Sequence, residues 1–350
     1  MRRQSFPGLA VICAAMLAFS LTQVAKAATE NRISGPYTHG NLSIYFVHGK
    51  SAAGPVPLTL AEALAQERVR VIETGNVNQL EIENLGDEEV FVQSGDIVKG
   101  GKQDRVLSVS LVLPPRSGRI PIASFCVEQG RWSARGREDV GKFSSADAAM
   151  PSRAAKIAMS APEPGLREGA GNALLPSDTG SRQQRIWRSV TASQQGLNNS
   201  LGAPVASRVS GSSLQLSLES EKLKEAQEKY VKALAAAGEK DKDIVGYVIA
   251  VNGKLNSADI YPSNGLFRKM WLKQLAAGAT EAIGERNGRS GAPPSIETVA
   301  AFLKAAEAGK SSARKLPANV SLQTRDSPNA LVLETTRKEG AFVHRNYLAK

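Results

Sequence analysis

Short runs of apolar residues, separated by turn-forming residues, dominate both ends of the chain. Valine and isoleucine are frequent in these runs, and Gly, Asn, Asp and Pro lie between them. This pattern is typical of short antiparallel strands rather than of a parallel sheet. It predicts strands at residues 42–48, 69–73, 79–83, 89–93, 105–113, 120–128, 244–251, 254–261, 320–323, 331–335 and 341–347.

Helical periodicity replaces the strand pattern in the middle of the chain. Apolar residues recur three and four positions apart, which predicts helices at 183–195, 219–237, 264–277 and 296–308. The Thr59-Leu60-Ala61-Glu62 sequence is a capping box and predicts a short helix that ends near residue 66. We expect one apolar stripe of the helix at 264–277 to be buried core; it consists of Phe267, Met270, Trp271 and Leu275.

Other segments have few large apolar side chains. Residues 144–181 are rich in Ala, Ser, Pro and Gly, which predicts a flexible excursion, and 198–213 are linker-like. Residues 28–38 are predicted to be a tether. The sequence therefore predicts one α+β domain over 28–350, with a mainly antiparallel sandwich or barrel-like core. Its middle is helical and partly flexible, and we expect both β-rich ends to share one sheet system.

The first 27 residues are typical of a secretory signal peptide. Arg2 and Arg3 precede an apolar stretch, and Ala25-Lys26-Ala27 presents small residues at the two positions that a signal peptidase reads. The alternative is a membrane anchor, but the apolar stretch is short for ~30 Å of hydrocarbon. We expect a periplasmic or secreted protein with no transmembrane segment after cleavage.

The bulk composition narrows the possible functions. The chain has a net charge of +11 and two cysteines, and removal of the signal peptide leaves only Cys126, so no internal disulfide is expected. The three histidines are isolated in sequence, so we predict neither a metal site nor a cofactor. Basic residues are not interleaved with stacking aromatics, which argues against a nucleic-acid partner. The sequence does not define an oligomeric state.

The most unusual segment spans residues 95–137, where basic residues outnumber acidic ones eight to three. Gly100-Gly101 lets the backbone approach a ligand and present amides, and neighbouring cations supply charge for an anion such as a phosphate. The alternative is a glycine bulge with solvated lysines. The predicted ligand-binding residues are Lys99, Gly100, Gly101, Lys102, Gln103, Arg105, Gln129, Arg131 and Trp132.

The run FCVEQGRW offers a second kind of chemistry. Strand alternation places Cys126 and Glu128 on one face, where the pair could act as nucleophile and base, with Asp104. A free cysteine is more often a small buried hydrophobic residue. Glu128 and Arg131 could equally form a structural ion pair. Trp132 either stacks on a ligand or caps the core, and the core interpretation is favoured.

These segments carry a family resemblance. The pieces PLTLAEAL, VFVQSGDIVKGGKQDRVL, FCVEQGRW and IVGYVIAVNGKLNSADIYPSNGLFRKMWLKQL stand in this order. The chain resembles the ARG-and-rhodanese-phosphatase-superfamily-associated protein domain family, where ARG stands for ADP-ribosylglycohydrolase. The family's name refers to associated proteins rather than to a reaction, so the resemblance implies no catalytic residues. Asn252, Gly253 and Asp259 fall within the last matching piece.

Three functions therefore stay open. The first is an exported binding module for an anionic ligand, such as a phosphorylated or nucleotide-like molecule or an envelope polymer. The second is a hydrolase that uses Cys126 or Glu128 with Asp104. The third is a structural envelope protein without a small-molecule site. The relative positions of residues 99–105 and 126–132 in the fold distinguish these hypotheses.

Overall fold

Strands from both ends of the chain form the largest sheet. The structure, a computed structural model, describes residues 32–136, 139–160, 177–286, 288 and 290–350. For residues 177–181, at the start of a helix, it describes only the backbone. Within these residues eight antiparallel strands lie in the order β1-β2-β12-β13-β17-β16-β15-β14. They are β1 (Arg32–His39), β2 (Leu42–His48), β12 (Ile244–Val251), β13 (Lys254–Ile260), β14 (Lys310–Leu316), β15 (Val320–Asp326), β16 (Ala330–Arg337) and β17 (Phe342–Ala349).

Two smaller sheets are built from the segment between β2 and the helical middle. A six-stranded sheet has the order β11-β7-β8-β10-β5-β4, and a three-stranded sheet has the order β3-β6-β9, in which only β3 and β6 are parallel. Their strands are β3 (Leu58–Thr59), β4 (Val69–Asn76), β5 (Gln79–Asn84), β6 (Val90–Val92), β7 (Ile97–Gly100), β8 (Arg105–Leu107), β9 (Leu111–Leu113), β10 (Gly118–Cys126) and β11 (Phe143–Ser145).

Seven helices are present among the described residues, and most lie between β11 and β14. They are α1 (Leu60–Ala65), α2 (Arg153–Ser160), α3 (Ser177–Leu201), α4 (Leu214–Leu218), α5 (Glu221–Glu239), α6 (Asn264–Gly284) and α7 (Ile296–Glu307). Mostly antiparallel sheets with a helical middle confirm the predicted α+β class, and the two ends of the chain do share one sheet.

The helices cover both faces of the large sheet. The predicted apolar stripe of α6 is buried, and Trp271 is 1% exposed. Its indole Nε1–H donates to the carbonyl of Ala235 on α5 at 2.9 Å. On the other face, Val299 and Ala306 of α7 join the apolar cluster of Tyr45 and Val248. Burial on two sides explains why every residue of β2 is buried.

Several local predictions are confirmed by the backbone. Thr59 caps α1, and its hydroxyl and the Glu62 carboxylate satisfy amides reciprocally. Asn252 and Gly253 both have positive φ, at 52° and 77°, as their two-residue hairpin turn requires.

Other predictions are wrong. The predicted tether contains β1, and the single strand predicted at 105–113 is two strands, β8 and β9, in different sheets. The excursion predicted at 144–181 contains α2 and the start of α3. Residues 161–176 and the predicted signal peptide lie outside the described residues.

Candidate functional site

Strand pairing brings the two sequence-predicted segments together. Arg105 of β8 lies opposite Cys126 of β10. The Cys126 thiol donates to Gln103 Oε1 at 2.6 Å, and Gln103 Nε2–H donates to the Glu128 carbonyl at 3.1 Å. Residues 99–105 and 126–132 therefore converge on one region. Its central side chains are almost fully buried, however, with Asp104, Arg105 and Glu128 at 0% exposure.

Gly100 and Gly101 form a bend, and close packing explains why both positions are glycine. Gly100 and Gly101 have φ of +125° and +57°. A Cβ on Gly100 would lie 2.4 Å from the Lys142 carbonyl oxygen, and one on Gly101 would lie 2.2 Å from Cζ of Phe143. The close approach that requires glycine is therefore to the start of β11.

The amides of this bend have acceptors within the protein. Gly100 N–H donates to Asp104 Oδ1 at 3.0 Å, and Gly101 N–H donates to the Lys142 carbonyl at 3.2 Å. Lys102 N–H donates to a carboxylate oxygen of Glu73 at 3.3 Å. An anion would have to compete with these acceptors for the amides.

Asp104 is the centre of a buried ion-pair network. The Arg135 guanidinium donates to both of its oxygens, at 3.0 and 3.1 Å, and Arg131 Nη2 lies 3.4 Å away. Ser213, the N-cap of α4, donates its hydroxyl to Asp104 at 3.3 Å. Arg131 Nε also donates to Glu128 at 2.6 Å. These contacts connect the start of α4 to residues 99–105 and 126–132. They favour the interpretation of Glu128 and Arg131 as a structural ion pair.

Acids from outside the segment form ion pairs with four more of its cations. Lys99 Nζ lies 2.7 Å from Glu219, and Arg105 Nη2 lies 3.7 Å from Glu73. Arg116 pairs with Asp87 and Arg119 with Glu81. Arg137 lies outside the described residues. The excess of positive charge in the sequence is thus largely cancelled by charge pairing in the fold.

Trp132 is not a core residue, because 41% of its surface is exposed. Lys102 and Arg105 lie over its ring, at 5.2 and 5.3 Å from the centroid. Nε and Nη2 of Arg105 have no hydrogen-bond partner among the described residues. The aromatic ring therefore supplies part of the stabilisation that this buried guanidinium needs. Gln129 lies apart from this contact, at a cavity beside Trp187.

Cys126 has the properties of a buried, unreactive thiol. It is 1% exposed, and burial raises its pKa to about 11. Nucleophilic cysteines require the thiolate, which a raised pKa disfavours near neutral pH. The site therefore gives little support to the Cys126 hydrolase hypothesis.

A larger cavity lies between helices α2, α3 and α6. Its volume is about 610 Å³, within the range typical of small-molecule sites. Arg153, Arg185 and Arg188 line it beside an apolar wall that includes Ile157 and Leu197. The guanidinium groups of Arg185 and Arg188 have no carboxylate partner within the described part of the chain.

One acidic side chain in this cavity, Glu281, has a perturbed carboxyl group. Glu281 accepts the Arg153 N–H at 3.0 Å, and burial raises the pKa of its carboxyl. Glu285 also lines the cavity.

A further cluster has the spacing of a metal site. His48, Asp241 and Asp243 place possible ligand atoms within 4.8 Å of one another. However, His48 Nδ1 lies 2.7 Å from both Asp243 and the Arg32 guanidinium, and its Nε2 lies 2.8 Å from Ser34 Oγ. Since both ring nitrogens are engaged and an arginine lies beside them, we interpret the cluster as an ion-pair network.

Comparisons with known proteins support one assignment. The family model of the ARG and Rhodanese-Phosphatase-superfamily-associated Protein domain matches residues 30–348. No curated protein and no solved structure matches the chain. Across the described residues, every helix is too short or too polar to cross a membrane.

Proposed function

Because the chain belongs to the ARG and Rhodanese-Phosphatase-superfamily-associated Protein domain family, whose name specifies no reaction, we propose a function from its geometry. The protein is an exported binding protein for a small amphipathic anion, and the ligand occupies the cavity between α2, α3 and α6. This keeps the ligand class that the sequence suggests but moves the binding site away from the double-glycine bend.

The unpaired arginines of α3 carry this proposal. Arg185 and Arg188 are one helical turn apart and line the same cavity. In contrast, Lys99 is paired with Glu219 and the amides of the bend have acceptors. Because a guanidinium without a carboxylate partner is free to bind an anion, the cavity offers the stronger site.

The apolar wall defines the rest of the ligand. Ala154, Ile157 and Ala158 of α2 face Ala192 and Leu197 of α3 across the cavity. An apolar body would remove this surface from water and gain roughly 25 cal/mol per Å². A phosphate, sulfonate or carboxylate head group would contact the arginines. A fully hydrated polymer of anions would leave the apolar wall unused.

Two double variants with the same loss of charge test the site. Anilinonaphthalene sulfonate, an amphipathic anion, is titrated by fluorescence at low salt against Arg185→Ala/Arg188→Ala and against Lys99→Ala/Lys102→Ala. Loss of the arginines should weaken binding at least tenfold, since charge-assisted hydrogen bonds contribute ~1.5–3 kcal/mol. The lysine variant should change affinity less than twofold. Circular dichroism checks that both variants are folded.

The other outcomes overturn the proposal in different ways. If only the lysine variant loses affinity, the double-glycine bend is the site. If both variants bind like the wild type, the probe binds elsewhere. If the wild type is saturated neither by the probe nor by inorganic phosphate, the protein is not an anion-binding protein of this kind.

A further inference from the structure

A second cavity adjoins the proposed binding cavity. Its volume is also about 610 Å³, and two residues line both cavities: Arg153, the first residue of α2, and Glu285, which follows the end of α6. The hairpin of β12 and β13 and the side chain of Lys350 form the rest of the second wall. Lys254, Glu285 and Lys350 are exposed, so this cavity is open to solvent. The two cavities therefore share a boundary that a ligand can reach from outside.

The walls of the two cavities differ in character. Helices α2 and α3 give the first cavity an apolar wall with three arginines. The second cavity is lined mainly by polar side chains, which are Asn252, Lys254, Asn256 and Lys350, beside Val251 and Leu255. Since apolar groups are stabilised by leaving water and hydrated groups are not, an apolar chain matches the first cavity and a polar group matches the second.

Arg153 supplies a positive charge where the two cavities meet. Its Nη1 donates to the Ala349 carbonyl at 3.2 Å, and its guanidinium has no carboxylate partner among the described residues. The remaining N–H groups can therefore bind an anion. An anion at this boundary needs one substituent in each cavity. A phosphodiester has two substituents and keeps one negative charge, whereas a carboxylate or a sulfonate carries only one substituent.

The charges in the second cavity favour a neutral, hydroxylated group. Neither the Lys254 ammonium nor the Glu285 carboxylate forms an ion pair within the described part of the chain, whereas Lys350 pairs with Asp326. A second anionic group would face Glu285, and an ammonium group would face Lys254 and Arg153. Because a hydroxyl both donates and accepts, neighbouring hydroxyls can donate to Glu285 and accept from Lys254.

We infer that the ligand is a single-chain phosphodiester amphiphile with a hydroxylated head group. Its apolar chain lies in the cavity between α2, α3 and α6, its phosphate lies at Arg153, and its head group lies in the second cavity. A lysophospholipid with a glycerol head group has this chemistry. The inference rests on the proposed function and adds to it a ligand class and a second subsite.

Two synthetic esters of equal charge test the head-group site. Octyl methyl phosphate and octyl glyceryl phosphate share the apolar chain and the charged diester, and differ in the hydroxylated head group. Binding of each is measured by isothermal titration calorimetry, below its micelle-forming concentration, on the wild type and on Lys254→Ala. Lys338→Ala is the matched control. Lys338 is also an exposed lysine at a hairpin of the large sheet, but it precedes β17, whereas Lys350 of the second cavity follows that strand.

We expect the wild type to bind the glyceryl ester at least about fivefold more tightly than the methyl ester, because the hydroxyls add hydrogen bonds. Lys254→Ala should reduce this preference to below about twofold, and Lys338→Ala should preserve it. The Arg185→Ala/Arg188→Ala variant should weaken binding of both esters by the same factor, since both contain the phosphate. Circular dichroism checks that each variant is folded.

The results that overturn this inference separate it from the proposed function. Equal affinity of the wild type for the two esters overturns the head-group site but not the anion cavity. An equal loss of preference in Lys254→Ala and Lys338→Ala overturns it as well, because the effect would then be one of net charge. If anilinonaphthalene sulfonate binds and neither ester displaces it, the phosphodiester class is wrong. If the arginine variant binds both esters like the wild type, the proposed function is wrong, and this inference with it.

Discussion

Replacing Gly101 by alanine should destabilise the protein for two separable reasons. Its φ of +57° is left-handed, which costs an alanine roughly 1–2 kcal/mol. In addition, the new Cβ would lie 2.2 Å from Cζ of Phe143, with two further ring atoms within 2.9 Å. Overpacking of this kind costs about 1–3 kcal/mol. We therefore expect Gly101→Ala to lower the free energy of unfolding by about 2–5 kcal/mol.

Gly118 provides a matched control for the backbone part of this effect. Its φ is +63°, but no heavy atom lies within 4 Å of the position its Cβ would take. Gly118→Ala should therefore cost only the roughly 1–2 kcal/mol of the left-handed conformation. The difference between the two variants isolates the contact with Phe143.

The assay is equilibrium unfolding in urea, followed by circular dichroism, on the chain without residues 1–27. If Gly101→Ala and Gly118→Ala lose the same stability, the close approach to β11 does not constrain Gly101. Phe143→Ala provides a second check, because shortening this side chain should bring the cost of Gly101→Ala down to that of Gly118→Ala. If the cost is unchanged, the clash argument is wrong.

The remaining predictions concern buried titratable groups and the N-terminus. Cys126→Ser should cost about 1–2 kcal/mol, and the native thiol should resist a thiol reagent at neutral pH; rapid labelling would contradict its raised pKa. Asp104→Asn should cost about 3–5 kcal/mol in urea unfolding, because it removes the buried carboxylate charge that Arg131 and Arg135 share; a loss below about 1 kcal/mol contradicts the network. Burial raises the pKa of Glu281, so ionisation costs the folded state stability as the pH rises above the unfolded pKa. Glu281→Gln should therefore gain stability relative to the wild type as the pH rises above about 4; a stability difference between the two proteins that does not change with pH refutes this. Mass spectrometry of protein from its native host should find a mature N-terminus near Ala28, and soluble protein with an intact N-terminus would refute export.

The pattern of apolar residues in the sequence was sufficient to predict the elements that have a large, continuous buried surface. The strands β2 and β12 and the apolar stripe of α6 were predicted because each has a continuous buried surface. In contrast, β1 and β14 were missed, and they are the two edges of the eight-stranded sheet. Nearly all residues of β14 are exposed, so its sequence carries no alternation to detect. Edge strands are defined by their backbone partner rather than by their own side chains.

The sequence also predicted which two segments would lie together, but not the net charge of the region that they form. Residues 99–105 and 126–132 do lie together. The acids that neutralise them, Glu73 and Glu219, lie outside the segment in which the basic residues were counted. The arginines of α3 were within a predicted helix, at a spacing that places them on one side. Their lack of partners becomes visible only in three dimensions.

Two buried polar networks, one around Asp104 and one around Asp259, connect parts of the chain that are distant in sequence. Around Asp104, carboxylates and arginines form ion pairs, although Glu128 Oε1 and Arg105 Nε have no hydrogen-bond partner among the described residues. Packing against Phe143 explains the glycines. Around Asp259, the network ends at a serine that borders a cavity, beside the unpartnered hydroxyl of Ser160. Its members are also invisible as a motif, since Ser110 and His344 are 234 positions apart. Both networks lie in the interior, where paired polar groups serve mainly to hold strands and helices together.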